Sequence, residues 1–144
     1  MGEYMKISEI MSTDVLTICM DDTVDNIRCV FEQNHCHHLP VVVDNRLVGI
    51  ISDRDVLRGL CPEADLKMAN SHALNTLKKK AHQIMTRDVV TISPDENAED
   101  AATIMLENKF SCLPVVDELD AICGIVTKTD LLQCLCGAKS TSKT

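Results

Sequence analysis

The sequence predicts an α/β fold of two tandem β-α-β-β-α repeats with pseudo-two-fold symmetry. Three observations predict it. The first is an internal duplication. Ile10-Met11-Ser12-Thr13-Asp14-Val15-Leu16-Thr17-Ile18 returns as Ile84-Met85-Thr86-Arg87-Asp88-Val89-Val90-Thr91-Ile92. His38-Leu39-Pro40-Val41-Val42 returns at the same spacing as Cys112-Leu113-Pro114-Val115-Val116. After one residue of slippage, Gly49-Ile50-Ile51-Ser52-Asp53-Arg54-Asp55-Val56-Leu57 returns as Gly124-Ile125-Val126-Thr127-Lys128-Thr129-Asp130-Leu131-Leu132. The second is that each copy reads strand, helix, strand, strand, helix from its hydrophobic periods. The third is a chain of 144 residues that is 45% hydrophobic, enough for one ordinary core. A duplicated unit is expected to bury its apolar face against its twin, with equivalent positions lining shared clefts.

In copy one, residues 15–19 are predicted as a strand. Thr23 caps a helix reaching about Gln33, with Val24, Ile27 and Phe31 on one face. Residues 39–43 are rich in β-branched side chains and read as a strand. Asp44-Asn45-Arg46 turns it back into a second strand over 47–52, and a short helix follows over 53–60. Copy two repeats the order: strand 89–92, helix 97–108 with Ala101, Ile104 and Met105 facing in, hairpin 113–127, helix 128–136. The layout is repeat one at 7–60, a linker helix at 61–81, repeat two at 82–136 and a flexible tail at 137–144. Pro62 suits the linker's start, and Leu66, Ala69, Ala73, Leu74 and Leu77 form its weak apolar stripe. Lys78-Lys79-Lys80 suits its C-terminus.

The net charge is −8, and the aromatics are Tyr4, Phe31 and Phe110. Nucleic-acid binding wants basic stripes and stacking platforms, so no nucleic-acid partner is expected. The longest apolar runs are about five residues, such as 47–51, far short of a membrane span. The N-terminus has no apolar run for a secretory signal, and Lys6 stands where myristoylation wants Ser or Thr. A cytoplasmic protein is expected, with no membrane partner. The eight cysteines then read as reduced thiols, mostly buried as small hydrophobes. Cys123 matches Val48, and Cys29 lies within a helix and aligns with Thr103.

The segment ending at Asp130 carries the most chemistry. A buried strand ends in hydroxyls, and a carboxylate follows on a first helical turn that reads as exposed. Asp130 can accept two hydrogen bonds at once, as a ribose 2′,3′-diol offers, with Thr127 and Thr129 beside it. The amides at the helix start favour an anion nearby. Copy one offers Ser52, Arg54 and Asp55 in the same places. The same pattern also fits plain helix capping by Ser52 and Thr127, and the residues alone leave both readings open. His35-Cys36-His37-His38 looks metal-binding, but its counterpart Lys109-Phe110-Ser111-Cys112 does not. It supplies only adjacent ligands, so no metal is expected and the run reads as helix end and strand start. The thiols of Cys134-Leu135-Cys136 point in different directions on a helix. No G-x-S-x-G elbow, Walker loop or H-E-x-x-H occurs, and an enzyme is not expected.

The order Ile-Met-[Ser/Thr], Leu-Pro-Val-Val, Gly-x-x-[Ser/Thr]-x-x-Asp occurs twice across residues 7–136. In this the chain resembles a CBS domain pair, or Bateman module, the family named for cystathionine beta-synthase. The resemblance implies clefts between repeats that bind an adenosine nucleotide: AMP, ADP or ATP first, with NAD and S-adenosylmethionine in the same class. It implies a regulatory energy or ligand sensor that reports to a partner protein. By position, its ribose-binding Asp falls on Asp55 and Asp130, with hydroxyl partners Ser52, Thr127 and Thr129. Its early Ser or Thr falls on Ser12 and Thr86, and its adenine or phosphate contacts on His37, His38, Ser111 and Cys112. One cleft would join Ser12 to Thr127 and Asp130; the other would join Thr86 to Ser52 and Asp55. Arg54 departs from the motif and can meet a phosphate instead. The charge of −8 makes a monophosphate or dinucleotide easier to hold than ATP. A homodimer is expected, covering apolar helix faces around Val24, Ile27, Ile104 and Met105. The rival readings are a metal or redox sensor using Cys and His, and a purely structural dimerisation module.

Overall fold

The computed structural model describes residues 5–60 and 75–137. Its elements run α1 (Ile7–Ile10), β1 (Ile18–Cys19), α2 (Val24–Asn34), β2 (His38–Val43), β3 (Arg46–Ser52), α3 (Asp53–Leu60), α4 (Ala81–Ile84), α5 (Ala98–Asn108), β4 (Cys112–Val116), β5 (Ile122–Thr127) and α6 (Lys128–Leu135). Residues 75–78 are also helical, so that helix ends at the predicted lysines. The linker's predicted start at Pro62, its stripe residues from Leu66 to Leu74, and the tail beyond Gly137 lie outside the described residues.

Local chemistry sets the boundaries. Thr23 Oγ1 accepts from Asn26 N at 3.2 Å and starts α2. His35 and Lys109 adopt left-handed φ of 53° and 60° and end α2 and α5 alike. Asp44 and Asn45, at φ of 52° and 67°, make the tight turn between β2 and β3. β2 and β3 pair antiparallel, as do β4 and β5, while β1 adds to β2 in parallel.

The predicted strands 15–19 and 89–92 are shorter than expected. The first keeps only Ile18–Cys19, and the second keeps one parallel bridge, Ile92 to Val115. Ile92 N donates to the Pro114 carbonyl and Val116 N donates to the Ile92 carbonyl, each at 3.1 Å. The next rung back would need an N–H on Pro114, which proline lacks. Pro40 stands in the same place in β2.

The helices α1 and α4 were not expected from the sequence, and each is bonded to a segment of the other repeat. Ile7 N donates to the Glu96 carbonyl and Ala98 N to the Met5 carbonyl, both at 2.8 Å. At the equivalent positions Ala81 N donates to Asp22 and Val24 N to Lys79, again at 2.8 Å. Each short helix thus joins the body of the other repeat. The chain forms two compact units, Met1–Val15 with Val90–Thr144, and Leu16–Val89. Their cores are built at equivalent positions. Ile27, Phe31, Leu39, Val41 and Ile51 fill one; Ala101, Met105, Leu113, Val115 and Val126 fill the other.

Two expectations fail here. Val24, Ile27 and Met105 are buried within their own units and offer no uncovered face, and Ile104 packs partly against its core. The exposed large apolar residues are others, among them Leu57, Leu106, Leu132 and Leu135. The cysteines are not mostly buried either. Among the described residues only Cys112 is buried, four are half-buried, and Cys19 and Cys136 are exposed. Their positions flank the apolar stripes instead of centring on them. No helix among the described residues is long and apolar enough to cross a membrane.

Candidate functional site

Each unit contains a corner where a hairpin strand passes directly into a helix. At β5–α6, Thr127 N and Thr127 Oγ1 donate to Asp130 Oδ2 at 2.9 and 3.1 Å, and Asp130 N donates to Thr127 Oγ1 at 3.2 Å. At β3–α3, Ser52 N donates to Asp55 Oδ2 and Asp55 N to Ser52 Oγ, both at 3.1 Å. The capping reading is therefore correct for both corners. It does not exhaust either carboxylate, because only Oδ2 takes part. Asp55 Oδ1 lies 3.8 Å from Arg58 Nη1, and Asp130 Oδ1 has no hydrogen-bond partner among the described residues. Asp130 is 7% exposed, so this carboxylate is not on the open surface expected from sequence, although Lys128 and Thr129 of the same turn are exposed. A carboxylate held by one oxygen presents the other in a fixed direction, which suits it to receive a ligand's donors.

The segment after each short helix lies against these corners. Ser12 N donates to the Ile125 carbonyl at 2.9 Å, and Ile125 N donates to the Ser12 carbonyl at 3.0 Å. Thr86 and Ile50 exchange the same two bonds at 2.9 and 3.0 Å. Ile125 and Ile50 each stand two residues before the capping hydroxyl, hence on the same side of their strand. Ser12 thus shares a unit with Thr127 and Asp130, and Thr86 shares one with Ser52 and Asp55.

Glycine makes this approach possible. A Cβ on Gly124 would stand 2.7 Å from both Met11 Sδ and the Ser12 carbonyl oxygen; one on Gly49 would stand 2.5 Å from Met85 Sδ. The methionine of each Ile-Met-[Ser/Thr] motif lies across the glycine of the other repeat's hairpin. The sequence reading quoted all four residues without assigning them this role. Their recurrence as a pair in both copies was the available signal.

The residues before Leu-Pro border the same corners. Asp53 N donates to the His37 carbonyl at 2.9 Å, and Lys128 N to the Ser111 carbonyl at 3.0 Å. His38 pairs across the hairpin with Ser52, and Cys112 with Thr127. The His37 ring meets Asp53 Oδ2 through Nδ1 at 2.8 Å. Burial pushes the His38 pKa down; Asp53 and Asp55 oppose that shift, and His37 and Arg54 add to it. Burial alone pushes the Cys112 thiol up to about 12, which keeps it protonated and unreactive at neutral pH. Arg54 and Thr129 are exposed on the first helical turns. His35 closes α2 and His37 and His38 lead into β2. Among the described residues no group of three or more His, Cys, Asp or Glu is placed to hold a metal ion.

With this geometry in place, comparison with known proteins is informative. The CBS domain profile matches residues 7–61 and 81–137. Among curated proteins, the chain is 34% identical over 157 residues to Uncharacterized protein MJ1426 of Methanocaldococcus jannaschii, covering 93% of each. It is 35% identical to the inosine-5′-monophosphate dehydrogenase of that organism over 129 residues, but spans only 23% of that protein. Among solved structures, CBSX2 of Arabidopsis thaliana in complex with AMP aligns with a TM-score of 0.78 at 27% identity, covering 92% of this chain and 97% of that one. The CBS domain pair of protein MJ0100, in complex with 5′-methylthioadenosine and S-adenosyl-L-methionine, aligns with a TM-score of 0.76 at 28% identity. That alignment covers 94% of this chain and 98% of MJ0100's.

Proposed function

The chain belongs to the CBS domain family, and from that premise we propose that it is a regulatory module binding adenosine nucleotides at its two strand-to-helix corners. The observation that carries this reading is the paired capping carboxylate. In each unit an Asp is fixed through one oxygen, beside a Ser or Thr segment contributed by the other repeat. Such a carboxylate can accept both hydroxyls of a ribose, and the neighbouring hydroxyls complete the polar contacts. The AMP held by CBSX2 and the S-adenosyl-L-methionine and 5′-methylthioadenosine held by MJ0100 support the adenosine class.

The module is not itself an enzyme in this reading. The corners offer caps and acceptors without an activated nucleophile, and the Cys112 thiol stays protonated. It works as a cytoplasmic homodimer and passes its ligand state to a partner protein. The dimer contact uses the exposed Leu57 and Leu132, which occupy equivalent positions on α3 and α6. Ligand can shift the arrangement only by binding its alternatives unequally.

A thermal-shift screen with AMP, ADP, ATP, NAD and S-adenosylmethionine tests the reading. At a hundred times its dissociation constant, a ligand should add about 2.7 kcal/mol. It should also slow amide exchange around residues 12–17, 52–55, 86–91 and 127–130. No stabilisation by any of the five at millimolar concentration would leave the structural dimerisation module as the better account.

A further inference from the structure

We propose that Met11 is an oxidation site: peroxide converts its thioether to the sulfoxide, which loosens the bridge beside the Asp130 corner and spares the equivalent bridge beside the Asp55 corner. The loosening is independent of any ligand; only its effect on binding rests on the reading of the corners as nucleotide sites.

The duplication supplies the comparison. Met11 and Met85 are equivalent, and each lies across a hairpin glycine, Gly124 or Gly49. Their burial differs. Met85 is 8% exposed and belongs to the core of its unit, whereas Met11 is half-buried at the edge of the other core. A dissolved oxidant therefore reaches the Met11 sulfur more readily. Met5 is more exposed still, at 40%, and its Sδ lies 3.5 Å from Cys134 Sγ. Met5 is not among the nearest neighbours of either hairpin glycine, so its oxidation leaves the corners alone.

Met11 fills the space in front of Gly124, where a Cβ would stand 2.7 Å from its Sδ and 3.0 Å from its Cγ. Met11 adjoins Ser12 and Gly124 adjoins Ile125, so the side chain is seated at the two-bond bridge itself. In the reaction the sulfur lone pair attacks one peroxide oxygen, an S–O bond forms and the O–O bond breaks. The departing hydroxide takes the remaining proton and leaves as water; sulfur is oxidised by two electrons and peroxide is reduced. The sulfoxide oxygen is a strong acceptor in a seat with no spare donor from the bridge, because Ser12 N and Ile125 N already donate to each other's carbonyls. Burying it unpaired is costly, so the side chain turns out to water and uncovers the bridge. A dithiol-dependent sulfoxide reductase reverses the change, releasing water and forming a disulfide on the dithiol.

The test treats the full chain with hydrogen peroxide and then with excess dithiothreitol. The thiol repairs disulfides and sulfenic acids at the eight cysteines but leaves sulfoxide in place. Peptide mass spectrometry should find Met5 and Met11 oxidised well before Met85. Amide exchange at Ser12 and Ile125 should quicken about fivefold or more, the scale of one lost hydrogen bond, while Ile50 and Thr86 stay unchanged. Met11→Leu, which conserves volume without an oxidisable sulfur, should abolish the peroxide effect on exchange, and Met5→Leu should not. Met11→Gln should reproduce the faster exchange without peroxide, and sulfoxide reductase should restore the treated parent. Oxidation of Met11 no faster than that of Met85, unchanged exchange at Ser12 and Ile125 once Met11 is oxidised, or a peroxide effect that persists in Met11→Leu would overturn the proposal. Faster exchange in a chain that binds no adenosine nucleotide before oxidation would uphold the oxidation site and overturn the nucleotide reading.

Discussion

Replacing Gly124 with Ala tests whether the close approach of Ser12 is what shapes the Asp130 corner. The new Cβ would meet Met11 Sδ at 2.7 Å, the Ser12 carbonyl oxygen at 2.7 Å and Met11 Cγ at 3.0 Å. The methionine end is flexible and half-buried, so it can swing aside. The carbonyl cannot, because Ser12 and Ile125 hold each other through bonds of 2.9 and 3.0 Å. Relief requires stretching or breaking one or both, each worth about 0.5–1.5 kcal/mol. The expected loss is about 1–3 kcal/mol, the usual range for an overpacked site. For a chain of this size that lowers Tm by roughly 2–4 °C per kcal/mol. Urea denaturation and thermal melting give the values, and calorimetry should show weaker ligand binding because Ser12 is displaced. A double-mutant cycle refines the test. Met11→Ala should recover little of the Gly124→Ala loss, because the carbonyl clash remains. At Gly49 the nearest atoms are Met85 Sδ at 2.5 Å and Cγ at 2.8 Å, with the Thr86 carbonyl at 3.0 Å, so Met85→Ala should recover more. A Gly124→Ala protein that melts within about 1 °C of the parent would refute the reasoning.

Asp130→Ala removes both a cap and a ligand acceptor. It should cost about 1 kcal/mol of stability in urea titrations and about 1.5–3 kcal/mol of affinity by calorimetry. For His38, the folded pKa lies below the unfolded value, so the unfolded chain binds its proton first on acidification. Its stabilising effect is complete above about pH 6.5 and is lost as pH falls from there through the folded pKa; His38→Cys, the residue of the second repeat, should flatten that part of the stability profile. Thiol labelling with mass readout should modify Cys19 and Cys136 quickly at pH 8 and leave Cys112 untouched until denaturant is added. If the proposed dimer forms, Leu132→Glu should reduce it to a 15.9 kDa species by light scattering; a parent chain already of that mass at micromolar concentration would refute the proposed dimer.

Much of this was legible in the chain because it depends on neighbours in sequence. Thr23, the Asp44-Asn45 turn and the Ser52 and Thr127 caps act within four residues of themselves, and each stands where the residue types place it. The shortened strands were legible in principle, since Pro40 and Pro114 announce the missing rung. The short helices α1 and α4 were not. Four residues complete barely one turn and show no hydrophobic period. Their attachment to the opposite repeat is a long-range matter, set by backbone bonds that no local pattern encodes. The burial of Asp130 escaped for the same reason, because a capping carboxylate normally reads as surface.

The duplicated corners also separate what the backbone requires from what a ligand selects. Both keep glycine under methionine, a hydroxyl–Asp cap, and a two-bond bridge to a Ser or Thr of the other repeat. The glycine and the bridge share one cause, since two backbones cannot approach this closely with a Cβ between them; the cap serves the helix start. Among the positions that differ, Arg54 and its counterpart Thr129 are exposed on the first helical turns and make none of these contacts. Changing them should therefore alter which ligand binds more than whether the unit folds. Arg54→Thr and Thr129→Arg, both exposed, should leave stability within about 0.5 kcal/mol of the parent. A larger loss would mean that these side chains belong to the frame after all.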